Sequence, residues 1–171
     1  MSFFQNIYSV IFRPGLAFGQ LANNYSPGLL LEAIIILSII ASIQNQPNIT
    51  GILGYLSSWL ITSSLIFLMA FIFKLKANEY PRFITLLGFA NIPMIFLAPA
   101  TIISQFNSAL GLILKLIILI WTFNLNIIAV TKLCQISKLK ATLIYLLPAL
   151  LITLIALKFI LGSIAQLILF F

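Results

Sequence analysis

Two carboxylates, Glu32 and Glu79, one thiol, Cys134, and no histidine are the only groups in this chain from which hydrolytic or redox chemistry is ordinarily built. Paired carboxylates can share general-acid and general-base work only when they flank one bond, and these two stand on opposite sides of a long apolar run. A zinc site needs three or four Cys, His or carboxylate ligands, and a serine or cysteine nucleophile needs a base; neither set can be assembled here. No GxxxxGK[ST] or GxGxxG phosphate-binding pattern occurs, and haem or iron–sulfur groups would find no ligands. The expectation is a non-enzymatic protein with no catalytic residue, no metal and no cofactor. An Asn48-Ile49-Thr50 glycosylation pattern matters only in a secretory compartment.

The informative polar residues are those inside apolar segments, because each is costly in hydrocarbon unless it meets a partner or water. They are Glu32, Asn91, Asn124, Asn126 and Tyr145. Counted from the ends of the helices proposed below, at 1.5 Å per residue, they share a layer roughly 6 to 12 Å inside one membrane boundary. Two readings stand: a polar pocket for a headgroup, ion or partner helix, or asparagines bonded between helices with Glu32 paired to a cation such as Lys74, Arg82 or Lys138. Pro93, Pro99 and Pro148 fall within helices and are expected to kink them.

These residues must be positioned by membrane helices. Of 171 residues, 63% are hydrophobic and 6% charged, too little polar surface for a water-soluble domain. Apolar runs long enough to cross about 30 Å of hydrocarbon lie at 28–43, 52–73, 83–103, 109–130 and 141–161. Segments such as LIFLMAFIF (65–73) are apolar on nearly every side, whereas barrel strands alternate. The fold expected is an all-α integral membrane protein, a single domain over 1–171 built as a five-helix transmembrane bundle. Short connections make successive spans antiparallel neighbours.

The net charge of +7 forms no basic stripe, so no nucleic-acid partner is expected. The cations are topology signals: Arg13 precedes the first span, Lys74, Lys76 and Arg82 lie in the second loop, and Lys132, Lys138 and Lys140 lie in the fourth. The first and third loops carry no charge. The positive-inside rule then places the N-terminus and these seven cations on the cytoplasmic side, facing anionic headgroups, with the C-terminus outside. Lys115 and Lys158 fall near the outer ends of their helices, where they can snorkel.

Residues 2–23 read as a helix broken at Pro14–Gly15, with Phe3, Phe4, Ile7, Val10 and Ile11 on one face and Gln5, Asn6, Ser9 and Arg13 towards the other. Such an amphipathic helix suits the headgroup layer, or the flank of the bundle. The apolar tail 162–171 is too short to cross alone, and a bend at Gly162–Ser163 is expected.

The segment order resembles the Yip family, the Ypt/Rab-interacting membrane proteins, in its compact bacterial form. The carriers are IFRPGLAFGQLANNYSPG (11–28), the central GFANIPMIF (88–96), SKLKAT (137–142) before the last helix, and the count of five spans. The resemblance implies a five-span membrane protein with a cytosolic N-terminus, in eukaryotic relatives associated with Rab GTPases and vesicle budding. The acidic DLYGP-like motif of those relatives is absent, so no Rab partner is carried over, and no catalytic residues are implied.

The reading reached is a protein of the bacterial cytoplasmic membrane, a location suggested by the Asn, Ile and Lys bias. Its role is membrane-organising, lipid-interacting or partner-scaffolding, with a membrane protein or a second copy as partner. Alternatives are a small transporter or channel subunit using the polar layer, or an assembly factor for a larger complex. Tags at the two ends are expected to be protease-accessible from opposite faces of sealed vesicles, with the protein resisting alkaline carbonate. Both ends on one face would refute an odd number of spans.

Overall fold

The computed structural model describes residues 2–44, 48–72 and 77–170. Every regular element among them is helical. Two short helices, α1 (Phe3–Phe12) and α2 (Pro14–Asn23), precede α3 (Pro27–Gln44) and α4 (Ile49–Ile72). A 3-10 turn, Ala77–Glu79, leads into α5 (Tyr80–Ala90), a second 3-10 segment (Ile92–Phe96) and α6 (Leu97–Phe106). The chain continues through α7 (Ser108–Cys134) to α8 (Lys138–Phe170). Pro27–Gln44, Ile49–Ile72, Tyr80–Phe106 and Ser108–Cys134 are each long and apolar enough to cross a membrane. The fifth expected span, 141–161, lies within α8. The molecule is an all-α membrane bundle.

The centre of the bundle is α5, in which every residue from Phe83 to Ala90 is buried. It is enclosed by α3, α4 and α7, with α1 and α2 on the remaining side. Buried Ala33, Ile36, Leu37, Ile40 and Ala41 recur along α3 at the helical period and form the stripe that meets α5. The two helices approach closely because small residues face each other. A Cβ added at Gly88 would lie 2.8 Å from that of Ala33. In lipid, where apolar surface gains nothing by leaving the solvent, such small-residue packing is a main source of helix association. Aromatic rings join α4 to α5, with Phe67 edge-on to Tyr80 and Phe83 at 5.1 and 5.4 Å.

The hairpins are set by local chemistry. Asn107 caps α7 by accepting from the Leu110 N–H at 3.0 Å, and Gly111 packs directly against Ser104 across that turn. Gln135 adopts the left-handed conformation (φ 52°) that ends α7. The N-terminal break falls at Arg13 (φ −138°), one residue before the expected Pro14–Gly15. Proline excludes the preceding residue from the helical region and itself suits the first position of α2.

Three sequence expectations need correction. Pro99, expected inside a continuous third helix, instead lies in the first turn of α6, where no intrahelical N–H bond is due. At Gly162–Ser163, where a bend is expected, α8 stays helical on to Phe170, as it does through Pro148. A glycine costs a helix only about 1 kcal/mol, whereas an opened backbone in hydrocarbon costs more. On α1, Asn6 and Val10 share the buried face, while Phe4 points outward. At Pro93, by contrast, the third span changes from α to 3-10 geometry.

Gly88→Val is expected to lower the unfolding temperature in detergent, corresponding to about 1–3 kcal/mol of overpacking. Gly54→Ala, whose added Cβ meets nothing within 4 Å, is expected to leave it unchanged.

Candidate functional site

The residues placed in one layer by depth separate into two cavities and one surface position. Glu32, half-buried on α3, faces the N-terminal helices. Its carboxylate oxygen Oε2 accepts from Nδ2 of Asn6 at 2.8 Å. Gln20, Asn24, Ser26 and Gly28, with Leu21 and Leu29, complete a cavity of about 290 Å³ around this pair. Asn6 is only 2% exposed, and its Oδ1 has no hydrogen-bond partner.

Asn91, Asn126 and Tyr145 meet elsewhere, in a cavity of about 180 Å³ between α4, α5, α7 and α8. Tyr55, Ser58, Trp59, Thr62 and Ser63 of α4 form its other wall. Both asparagines are satisfied within their own helices: Asn91 Nδ2 donates to the Leu87 carbonyl at 2.7 Å, and Asn126 Nδ2 to that of Thr122 at 2.9 Å. Tyr145 packs edge-on against Phe123 at 5.5 Å. The indole Nε1 of Trp59 is buried without a partner. No charged side chain lines this cavity, so its walls suit water or a neutral hydrogen-bonding group.

Asn124 belongs to neither cavity and is exposed on α7. Two residues along a helix is about 200° of rotation, so Asn124 and Asn126 share a depth but face opposite ways. The expected pairing of Glu32 with Arg82 is not formed. Arg82 instead lies with its guanidinium 5.8 Å over the Tyr25 ring, and its Nε has no partner. Arg13, Lys132, Lys138 and Lys140 are exposed, while Lys74 and Lys76 lie outside the described residues. Lys115 is half-buried near Gln44 and Thr101.

At Pro93 the chain seals its own break. Gln44 at the end of α3 donates Nε2 to the Met94 carbonyl at 3.2 Å, and the Met94 N–H bonds the Asn91 carbonyl at 2.9 Å. Among the described residues no three His, Cys, Asp or Glu side chains come together to hold a metal.

A family model described as the Yip1 domain matches residues 8–160. The chain belongs to the Yip1 family. That match takes in both cavities apart from Asn6, and it extends from within α1 into α8. No curated protein and no solved structure matches the chain. For this Yip1 domain, the residues that sequence reading missed are Asn6, Gln20, Asn24 and Ser26. Asn6 carried a usable signal, since it lies four residues before the buried Val10, and Phe4, Tyr8 and Phe12 form a second apolar row at the same spacing.

Asn6→Leu removes the donor to Glu32 and is expected to destabilise the fold by about 1–3 kcal/mol, read from unfolding midpoints in detergent. Asn124→Leu is expected to change stability by less than about 0.5 kcal/mol, as for other surface positions.

Proposed function

We propose that this Yip1-family protein organises one leaflet of its membrane without catalysis, with α1 and α2 inserted among the lipids as a wedge beside the bundle. The observation that carries this reading is a row of exposed apolar side chains on the outer face of the two helices. Phe4, Tyr8, Phe12 and Leu16 follow one another at intervals of four residues, each at least 60% exposed. The inner face is spent on the bundle, where Val10, Ala17, Phe18 and Leu21 are buried. A helix pair apolar on both faces gains by placing its outer row in lipid, at about 1.5–3 kcal/mol for each large side chain buried. Its packing against α5, α7 and the 3-10 segment Ile92–Phe96 fixes that wedge to the transmembrane body.

The proposal places the N-terminus, the α4–α5 connection and the α7–α8 turn on the cytoplasmic side of a bacterial cytoplasmic membrane. There, Arg13, Lys74, Lys76, Lys132, Lys138 and Lys140 attract anionic headgroups, each contributing up to about 1 kcal/mol. A membrane-protein partner or a second copy would add to this scaffold. Transport is the less favoured reading, because Glu32 and the asparagine cavity are lined by different residues and form no shared polar path.

Reconstituted into anionic vesicles, the protein is expected to narrow their size distribution or draw tubules visible by electron microscopy. The combined variant Phe4→Ser, Tyr8→Ser, Phe12→Ser and Leu16→Ser is expected to lose this while keeping the unfolding midpoint of the parent. Remodelling by the variant equal to that of the parent would rule the wedge out.

A further inference from the structure

Glu32 and Asn6 leave an unbalanced set of hydrogen-bonding groups. The amide nitrogen of Asn6 faces Glu32 and donates to its Oε2. Its oxygen is therefore the free end, buried and without a partner. An unpaired buried acceptor is costly, and the side chain that carries this one lines the cavity beside Glu32. Around the same space stand the second oxygen of Glu32, the carboxamides of Gln20 and Asn24 and the hydroxyl of Ser26. No cationic or aromatic side chain lines it. One negative charge with surplus acceptors calls for a cationic donor.

We propose that this cavity binds a primary ammonium group, supplied by an aminophospholipid headgroup of the leaflet in which α1 and α2 lie. A primary ammonium carries three N–H donors, matching Glu32 and two neutral oxygens among Gln20, Asn24 and Ser26, with Asn6 holding the carboxylate in place. Calcium or magnesium would need more carboxylates or an ordered octahedral shell. A quaternary ammonium donates no hydrogen bond and is usually held by an aromatic cage, which these walls lack. The phosphate of the same headgroup would meet the guanidinium of Arg82, held 5.8 Å over the ring of Tyr25, the residue between Asn24 and Ser26. The cavity lies about five residues inside the start of α3, roughly 7 Å at 1.5 Å per residue, a depth that a lipid headgroup settling beside the wedge can reach.

This inference rests on the leaflet-embedded reading of α1 and α2, and its test is separate from vesicle remodelling. The full chain, purified and placed in nanodiscs of phosphatidylglycerol with equal phosphatidylethanolamine and phosphatidylcholine, is delipidated stepwise, and retained lipid is read by native mass spectrometry. Phosphatidylethanolamine is expected to be retained about tenfold over phosphatidylcholine, the ratio that one charge-assisted hydrogen bond supports. Retention should fall with each N-methyl group added to the headgroup, a series that needs no variant. E32Q and Asn6→Leu are expected to bring the two lipids to parity. Equal retention by the parent chain, or undiminished preference in a folded E32Q protein, overturns the proposal. In nanodiscs of phosphatidylglycerol alone, free ethanolamine is expected to bind far more weakly than the lipid. Equal binding would overturn the lipid source. Loss of headgroup preference with remodelling intact would refute this inference alone.

Discussion

In hydrocarbon no water is available to bond a free backbone group, and this constraint governs most of the structure. It explains why all regular elements are helical and why the break in the third span is closed by Gln44 and by a 3-10 turn rather than left open. It also accounts for the behaviour of the small polar side chains. Ser38, Ser42, Ser57, Ser64, Thr85, Thr122 and Thr142 each donate a hydroxyl to the carbonyl four residues back on the same helix. A hydroxyl bonded in this way needs no partner on another helix, although Ser64 also bonds the Tyr80 hydroxyl at 2.7 Å. Among the described residues the buried side-chain polar atoms left over are Asn6 Oδ1, Trp59 Nε1, Arg82 Nε and Thr131 Oγ1. Asn6 and Trp59 are among the residues that line the cavities.

Because apolar surface gives little drive to associate inside lipid, the bundle depends on how closely its backbones approach. The approach of α3 to α5 is set by Gly88 and Ala33, and that of α6 to α7 by Gly111 and Ser104. With α5 at the centre, α4 is left on the flank, where it buries only Ser63, Ile66 and Ala70. Its polar run from Tyr55 to Ser63 then faces the neutral cavity rather than tight packing. The N-terminal helices close the other side of α5 and bring Asn6 to Glu32.

The polar layer illustrates what depth along a helix can and cannot say. Counting residues from the helix ends put Glu32, Asn91, Asn124, Asn126 and Tyr145 at a common height, and three of them do line one cavity. Height does not specify which way a side chain faces. Asn124 and Asn126 differ by about 200° around α7, and Glu32 faces α1 rather than α5. The same ambiguity affected α1, where two apolar rows are present and only packing shows which one is turned inward. Phe3, Ile7 and Ile11 pack against the core, and Phe4, Tyr8 and Phe12 do not.

Composition and run length by themselves determined that this chain lives in a membrane as helices, because bilayer thickness and backbone bonding leave no other solution for such apolar segments. The family was legible as well, from motifs around Pro14 and Pro93. Cysteine, histidine and carboxylate counts point away from metal and nucleophile chemistry. Only the tertiary structure decided that Pro99 opens α6 while Pro93 sits in a 3-10 segment, that α8 continues past Gly162, and that Glu32 meets Asn6. The meeting of Glu32 with Asn6 and the closing of the break at Pro93 by Gln44 depend on rotation about a helix axis and on neighbours distant in sequence. Hydrophobic periodicity cannot supply those relations in a chain apolar on almost every face.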